Sequence, residues 1–301
     1  MSNIFSLTKS DKLRKNITKQ IEYDISKMYQ DMSDKFSRQV KSMSIRSVSD
    51  SIKQLQLIFL ANELKEKSRS VSNDIQSTIK NGMYNVSGYV VGDANRFNSL
   101  IGLSELGAYG NVPTDVVASI ISGSVYSGNW TLSRAIWNNY DKIRKDIDYI
   151  LAKGVAEGKG VFEIAKDLER YVNPSATKMW DWSKVYPGTN KKIEYNSQRL
   201  ARTLISHAYQ QSIIVVCKDN PFVDGIKWLS ANTERTCEVC LERDGVVYPK
   251  DALPLDHPNG LCSYAPEVSK TYDEISNDIS SWLGGEENKD LDDWYNVMFK
   301  K

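Results

Sequence analysis

From Ser10 to about Ser44 the apolar residues Ile17, Ile21, Ile25, Met28, Met32, Phe36, Val40 and Met43 recur at steps of three and four, with no Pro or Gly between them. That spacing predicts an amphipathic helix of several turns. A second stripe through Val48, Ile52, Leu55, Leu60, Leu64, Val71, Ile75 and Ile79 predicts another helix from about Ser47 to Lys80, with Gly82 placed to stop it. Each stripe needs a partner, and a hairpin of the two within residues 1–90 supplies one through a short connection. Between 82 and 130 Gly and Ser break the period, so residues 91–129 are expected to be a flexible connection. Within it, Pro113 opens a short helical pattern that ends near Gly123.

Helical periodicity returns with Leu132, Ile136, Ile143, Ile147 and Ile150 on one face. Gly154, Gly158 and Gly160 then turn the chain, and Val161, Ile164, Ala165 and Leu168 begin a second helix that stops before Pro174. The aromatic stretch "NPSATKMWDWSKVYPGTNKKIEY" reads as a packed loop, and from Ser197 another helix turns Leu200, Leu204, Ala208 and Ile213 inward. Together these make a helical core over residues 130–216. After Pro221 the character changes: "DGIKWLS" and "GVVYP" are short β-rich pieces, and Asp244 with Gly245 is a tight-turn dipeptide between them. The predicted class is mainly α with an α+β character: long N-terminal helices, a helical middle, a small hairpin-and-loop module over 217–268, and an acidic tail over 269–301.

With 301 residues, 41% hydrophobic and 26% charged, the chain has room for more than one core and too much apolar content for wholesale disorder. The net charge of +1 hides an asymmetry: residues 1–90 carry 15 Lys/Arg against 9 Asp/Glu, and residues 271–301 carry 3 against 8. A basic front and an acidic tail imply different contact surfaces. No apolar run approaches the roughly 18 residues of a membrane span, so no membrane partner is expected. The N-terminal "MSNIFSLTKSDKLRKN" lacks the apolar stretch of an export signal, which leads to the expectation of a protein made and kept in the cytoplasm.

Three of the four cysteines and one of the two histidines fall within "TCEVCLERDGVVYPKDALPLDHPNGLC". In a chain without an export signal a disulfide framework is disfavoured, which leaves metal binding or plain packing. The spacing of Cys237 and Cys240 lets a tight turn aim both sulfurs at one point, and His257 with Cys262 can close a tetrahedron from the far side of the loop. This Cys3His set suits zinc, and four protein ligands leave no position for a reacting water, so the site is expected to be structural. The surrounding segment has many turn formers and few large apolar residues, the situation in which a small module needs a staple. The competing reading makes the cysteines small buried hydrophobes and His257 a surface residue. Cys217 follows an apolar run and His207 sits on a helix; both are expected to serve packing.

The segment from Leu132 to Val172, the "RLARTLISHAYQQS" helix and the ending "WLSANTERTCEVCLERDGVVYP…HPNGLC" occur in one order. Over roughly residues 130–266 they resemble the phage head morphogenesis family, the minor head proteins similar to protein F of phage Mu. Arg199, Ala201, Arg202 and Thr203 match that family's helix motif, Trp228 its tryptophan, Cys237 and Cys240 its cysteine pair, Asp244 and Gly245 its turn, and His257, Pro258, Asn259 and Cys262 its ending. Leu204, Arg243, Gly260 and Leu261 depart from it. The resemblance implies a non-enzymatic minor capsid component of the virion, assembled in the host bacterial cytoplasm. It would act in procapsid assembly at the portal vertex, with the portal protein and a major capsid or scaffolding protein as partners, and assist DNA packaging or delivery.

Two other readings stay open. An HNH-like metal-dependent nuclease is suggested by "LDHPNGLC" beside a CxxC, yet no histidine follows His257 to complete an open metal site. A DNA-binding zinc protein would have to use the basic N-terminal helices, because the span from Lys227 to Glu267 holds more carboxylates than cations.

Overall fold

The computed structural model of the chain describes residues 4–44, 50–103, 109–128, 130–176, 186–187, 193–234 and 236–299. The chain is mainly helical, with one three-stranded antiparallel sheet near the C-terminus. Its elements in order are α1 (Thr8–Ser44), α2 (Asp50–Leu100), α3 (Val112–Ser122), α4 (Leu132–Ala156), α5 (Val161–Val172), α6 (Ile193–Lys218), β1 (Gly225–Leu229), α7 (Glu238–Arg243), β2 (Val247–Tyr248), β3 (Ser263–Glu267), α8 (Tyr272–Leu283) and α9 (Lys289–Phe299). Val48 and most of the aromatic stretch after Ala176 lie outside the described residues.

Two compact units divide the chain, and neither is continuous in sequence. The first gathers Met1–Lys19, Lys80–Val125 and Arg202–Lys301, and the second gathers Gln20–Ile79 and Tyr126–Ala201. This partition cuts across the sequential regions 1–90, 91–129 and 130–216, because α1, α2 and α6 each contribute residues to both units.

In the second unit α1 and α2 meet as the predicted hairpin: Gln39 Nε2 donates to Glu63 Oε2 at 2.7 Å and Ser68 Oγ approaches Met32 Sδ at 3.5 Å. Ile25, Met32, Phe36 and Val40 are buried there, as are Leu64, Ile75 and Ile79. α4 and α5 close against each other where Gly154 leaves room for Ile164, since a Cβ at 154 would fall 2.7 Å from Ile164 Cγ1. Tyr171 Oη donates to the buried carboxylate of Asp146 at 2.7 Å. Ser197 of α6 joins Tyr29 at 3.1 Å and Asn139 at 3.0 Å.

The first unit corrects the expected flexible connection. Gly82 does not end the second helix, which runs on to Leu100. Glycine inside a helix costs about 1 kcal/mol relative to alanine. Met83, Val86, Val90, Ala94 and Phe97, all buried, recur at helical spacing and offset that cost by tertiary packing. Phe97 stacks on Phe5 at 4.7 Å, and the Ser10 N–H donates to Asp93 Oδ2 at 2.9 Å. α3 does begin with Pro113 in its first turn and ends at Gly123, as its pattern predicted.

β1 is the central strand, paired antiparallel with β2 on one side and β3 on the other. Ile226 and Trp228 of β1 and Tyr264 of β3 point into the core with the two-residue period of a strand. Pro266 sits in an edge strand, where a missing N–H is tolerated. The Asp244–Gly245 turn links α7 to β2: Gly245 has φ +77°, and its N–H donates to Trp228 O at 2.9 Å. The acidic tail is two helices, α8 opened by a capping box of Thr271 and Glu274, and α9 seated through buried Leu291 and Trp294.

Candidate metal centre

The loop that precedes β3 lies along one polar face of α6. Residues 203, 206, 207 and 210 of that helix share a face by their spacing, and each bonds the loop. Thr203 Oγ1 accepts from Asn259 N at 2.9 Å, Ser206 Oγ donates to Gly260 O at 3.0 Å, and His207 Nε2 donates to Asp256 O at 3.0 Å. Gln210 spans two residues of the loop: its Nε2 donates to Pro254 O at 2.5 Å and its Oε1 accepts from Asp256 N at 2.9 Å. Arg202 Nε bonds Asn259 Oδ1 as well. His207 thus ties α6 to the loop, and burial pushes its pKa below the usual imidazole value.

Held this way, His257-Pro258-Asn259-Gly260 forms a tight turn. The Gly260 N–H donates to His257 O at 2.9 Å and Asn259 adopts φ +69°. Proline second and asparagine third is the composition such a turn demands. The turn presents His257 towards the CxxC from one side. From the other, Cys237 caps the short helix α7 and Cys240 lies within it, buried.

Groups able to hold a metal ion meet here in two overlapping sets: Cys237, Cys240 and His257, and Cys240, Asp256 and Cys262. Within each set the ligand atoms lie within 4.8 Å of one another. Cys237 Sγ is 3.4 Å from His257 Nε2, and this pair faces solvent, whereas Cys240, Asp256 and Cys262 are buried. All four sequence-predicted residues are thus in one cluster, but they do not form one set of four. Cys240 is the hinge between the two groups, and Asp256 is a member that cysteine and histidine spacing did not reveal. The signal for it was the carboxylate directly before His257 in "LDHP". Cys217 lies away from the cluster, wholly buried, and all four cysteines are free thiols.

No protein family, curated protein or solved structure matches this chain.

The approach of the Cys240 N–H and the nearby imidazole of His257 hold the Cys237 thiol below its ordinary value. Burial opposes charging His257, but the Pro258 carbonyl and the Asp256 carboxylate outweigh it and raise its pKa. On the buried side every acid resists ionisation. Burial raises Cys240, with the neighbouring Cys262 and Cys237 thiols adding to the effect. It raises Cys262 too, with Asp256 beside it, and it raises Asp256 itself. Three buried acids whose ionisation burial opposes are the arrangement a divalent cation reverses, because the ion's own charge dominates the local field. The donor set, three sulfurs, an imidazole and a carboxylate, fits a cation that accepts soft and borderline ligands.

The module has little else to hold it. Between Leu229 and Cys262, Leu253 is the one large aliphatic side chain buried among the described residues; the others buried there are Cys240, Asp256 and Gly260.

Proposed function

We propose that this chain is a structural and assembly protein, a minor head component of a phage capsid acting at the portal vertex, whose C-terminal module is stapled by a structural zinc ion and performs no catalysis. One observation carries the reading: the residues of the resemblance, scattered from Arg202 to Cys262, meet in a single constellation. Arg202 and Thr203 of the helix motif bond Asn259 of the His-Pro-Asn turn. The Gly245 N–H donates to Trp228 O at 2.9 Å, and Asp244 Oδ1 accepts from the Ser230 N–H at 2.7 Å, tying the turn to β1. Motifs that are individually weak gain weight when one local structure requires all of them together.

Zinc is favoured over other cations because thiolates and imidazole are its preferred ligands and it carries no redox chemistry into a structural role. A binding free energy on the order of 10 kcal/mol suffices to decide whether a segment with so small a core is ordered.

Affinity-tagged full-length chain, co-expressed with phage portal and capsid subunits, tests the reading. Recovery of portal subunits in stoichiometric complex, with about one zinc per chain, is the expected result. A metal-dependent cleavage of DNA that disappears in His257→Ala, with no portal or capsid subunit recovered, would replace it with the nuclease reading.

A further inference from the structure

Asp256 is the buried charge that a Cys3His site leaves unused. It is 3% exposed. Its backbone is pinned to α6 on both sides, N–H to Gln210 and carbonyl to His207, so the side chain leaves a fixed point. Oδ1 accepts the His257 N–H at 2.8 Å. Oδ2 is buried and has no hydrogen-bond partner among the described residues. The backbone at Gly260 closes directly over the carboxylate: a Cβ added there would fall 2.1 Å from Oδ2. The carboxylate stands within 4.8 Å of the sulfurs of Cys240 and Cys262. A buried carboxylate oxygen without a partner is destabilising unless a donor or cation reaches it. Two thiolates formed beside it on metal binding would add repulsion if it stayed outside the coordination shell.

We propose that Asp256 is itself a metal ligand. Cys240, Asp256 and Cys262 form the buried seat of one divalent cation, and the solvent-facing Cys237 and His257 close the shell from outside, giving three sulfur and two light-atom donors. This deepens the zinc reading above and rests on it. The cation must accept sulfur and oxygen together, which zinc does, with cobalt(II) as its spectroscopic stand-in.

The test uses full-length chain loaded with zinc or cobalt(II). Asp256→Asn keeps the shape and removes the anionic donor; it is expected to weaken zinc binding at least tenfold in competition with a chromophoric chelator, on the order seen for lost metal-site partners. It should also shift the d–d bands of the cobalt protein while thiolate-to-cobalt charge transfer persists. Unchanged affinity with an unchanged cobalt spectrum overturns the proposal. Should the variant fail to fold, X-ray absorption of the zinc-loaded parent decides: two light-atom donors support Asp256, and a shell of three sulfurs with one nitrogen overturns it while leaving the zinc reading intact. A parent that binds neither metal overturns both.

Discussion

Arg14 is buried to 1% exposure near the start of α1, and its guanidinium is fully engaged. It pairs with Asp11 at 2.6 Å, donates to Ser206 at 3.1 Å and Ser263 at 3.4 Å, and lies over the Tyr209 ring at 4.8 Å. Burial opposes ionisation of Asp11, but Arg14 and Lys15 outweigh it and hold the carboxyl below the usual 3.8. Asp11→Asn leaves a buried cation uncompensated and is expected to cost about 3 kcal/mol in denaturant unfolding. The sign of the pH effect follows from the lowered pKa: the contribution is complete above pH 3.8 and is lost as pH falls through the lower folded value. Stability of the parent should therefore drop more steeply than that of Asp11→Asn between about pH 5 and 2; parallel curves would show that the pair contributes nothing. Gly260 poses a steric question instead. Its substitution by Ala drives a methyl into the Asp256 carboxylate, which the backbone bonds to α6 prevent from retreating. A loss of about 1–3 kcal/mol in thermal unfolding is expected, with weakened zinc retention. A melting curve like the parent's would mean that the loop yields freely.

At the scale of elements, α6 performs two tasks on two faces. Leu204, Ala208 and Ile213 enter the core, and Thr203, Ser206, His207 and Gln210 carry the loop. The sequence announces the first face and conceals the second, because apolar residues at period 3.6 predict burial, whereas a polar stripe is ordinarily read as solvated. His207→Leu leaves the Asp256 carbonyl without its donor, at about 1–3 kcal/mol. It is expected to weaken metal binding while far-ultraviolet circular dichroism stays at the parent's value; unaltered affinity would show that the bond does not position the loop. The same logic sorts the remaining expectations. The helix pair α4 and α5, the α1–α2 hairpin and the turn at Gly245 were legible because each is governed by local period or local backbone geometry. The run of α2 past Gly82 was not, since distant partners such as Phe5 for Phe97 supply its stabilisation. Strand β3 escaped notice because its pairing with β1 joins Leu229 to Ser263, across the whole metal loop. Likewise Cys237, Cys240, His257 and Cys262 could be nominated from spacing, while Asp256 had only its place before His257 to mark it: carboxylates are common, and burial with an unpartnered oxygen is what singles this one out.

For the whole molecule, the two units differ in what sustains them. The second unit has an ordinary core, with Ile143, Ile147, Ile164 and Leu168 all wholly buried or nearly so. The first has such a core along α6 and the end of α2, but its loop from residue 230 to 262 buries little besides the metal-binding groups and Leu253. If the loop holds the proposed zinc ion, withdrawing it would remove roughly 10 kcal/mol from that loop. Its withdrawal would also return three acids to a site where burial opposes their ionisation, so that they must take up protons or open to water. Loss of metal should therefore be a local event. Treatment of the zinc-loaded protein with a strong chelator is expected to raise amide hydrogen exchange across residues 236–262 and in β1 and β3, which flank the loop. Amides of α4 and α5 should keep their protection, and α6 beyond Ala208 should keep most of its own because Tyr209, Ile213 and Val216 are buried independently of the loop. Cys240→Ala should reproduce the pattern without chelator, since Cys240 belongs to both ligand sets, whereas Cys237→Ala should reproduce it only in part. Uniform exchange before and after chelation would show that packing, not an ion, orders the module. Loss of protection in α4 and α5 as well would show that the second unit depends on the metal.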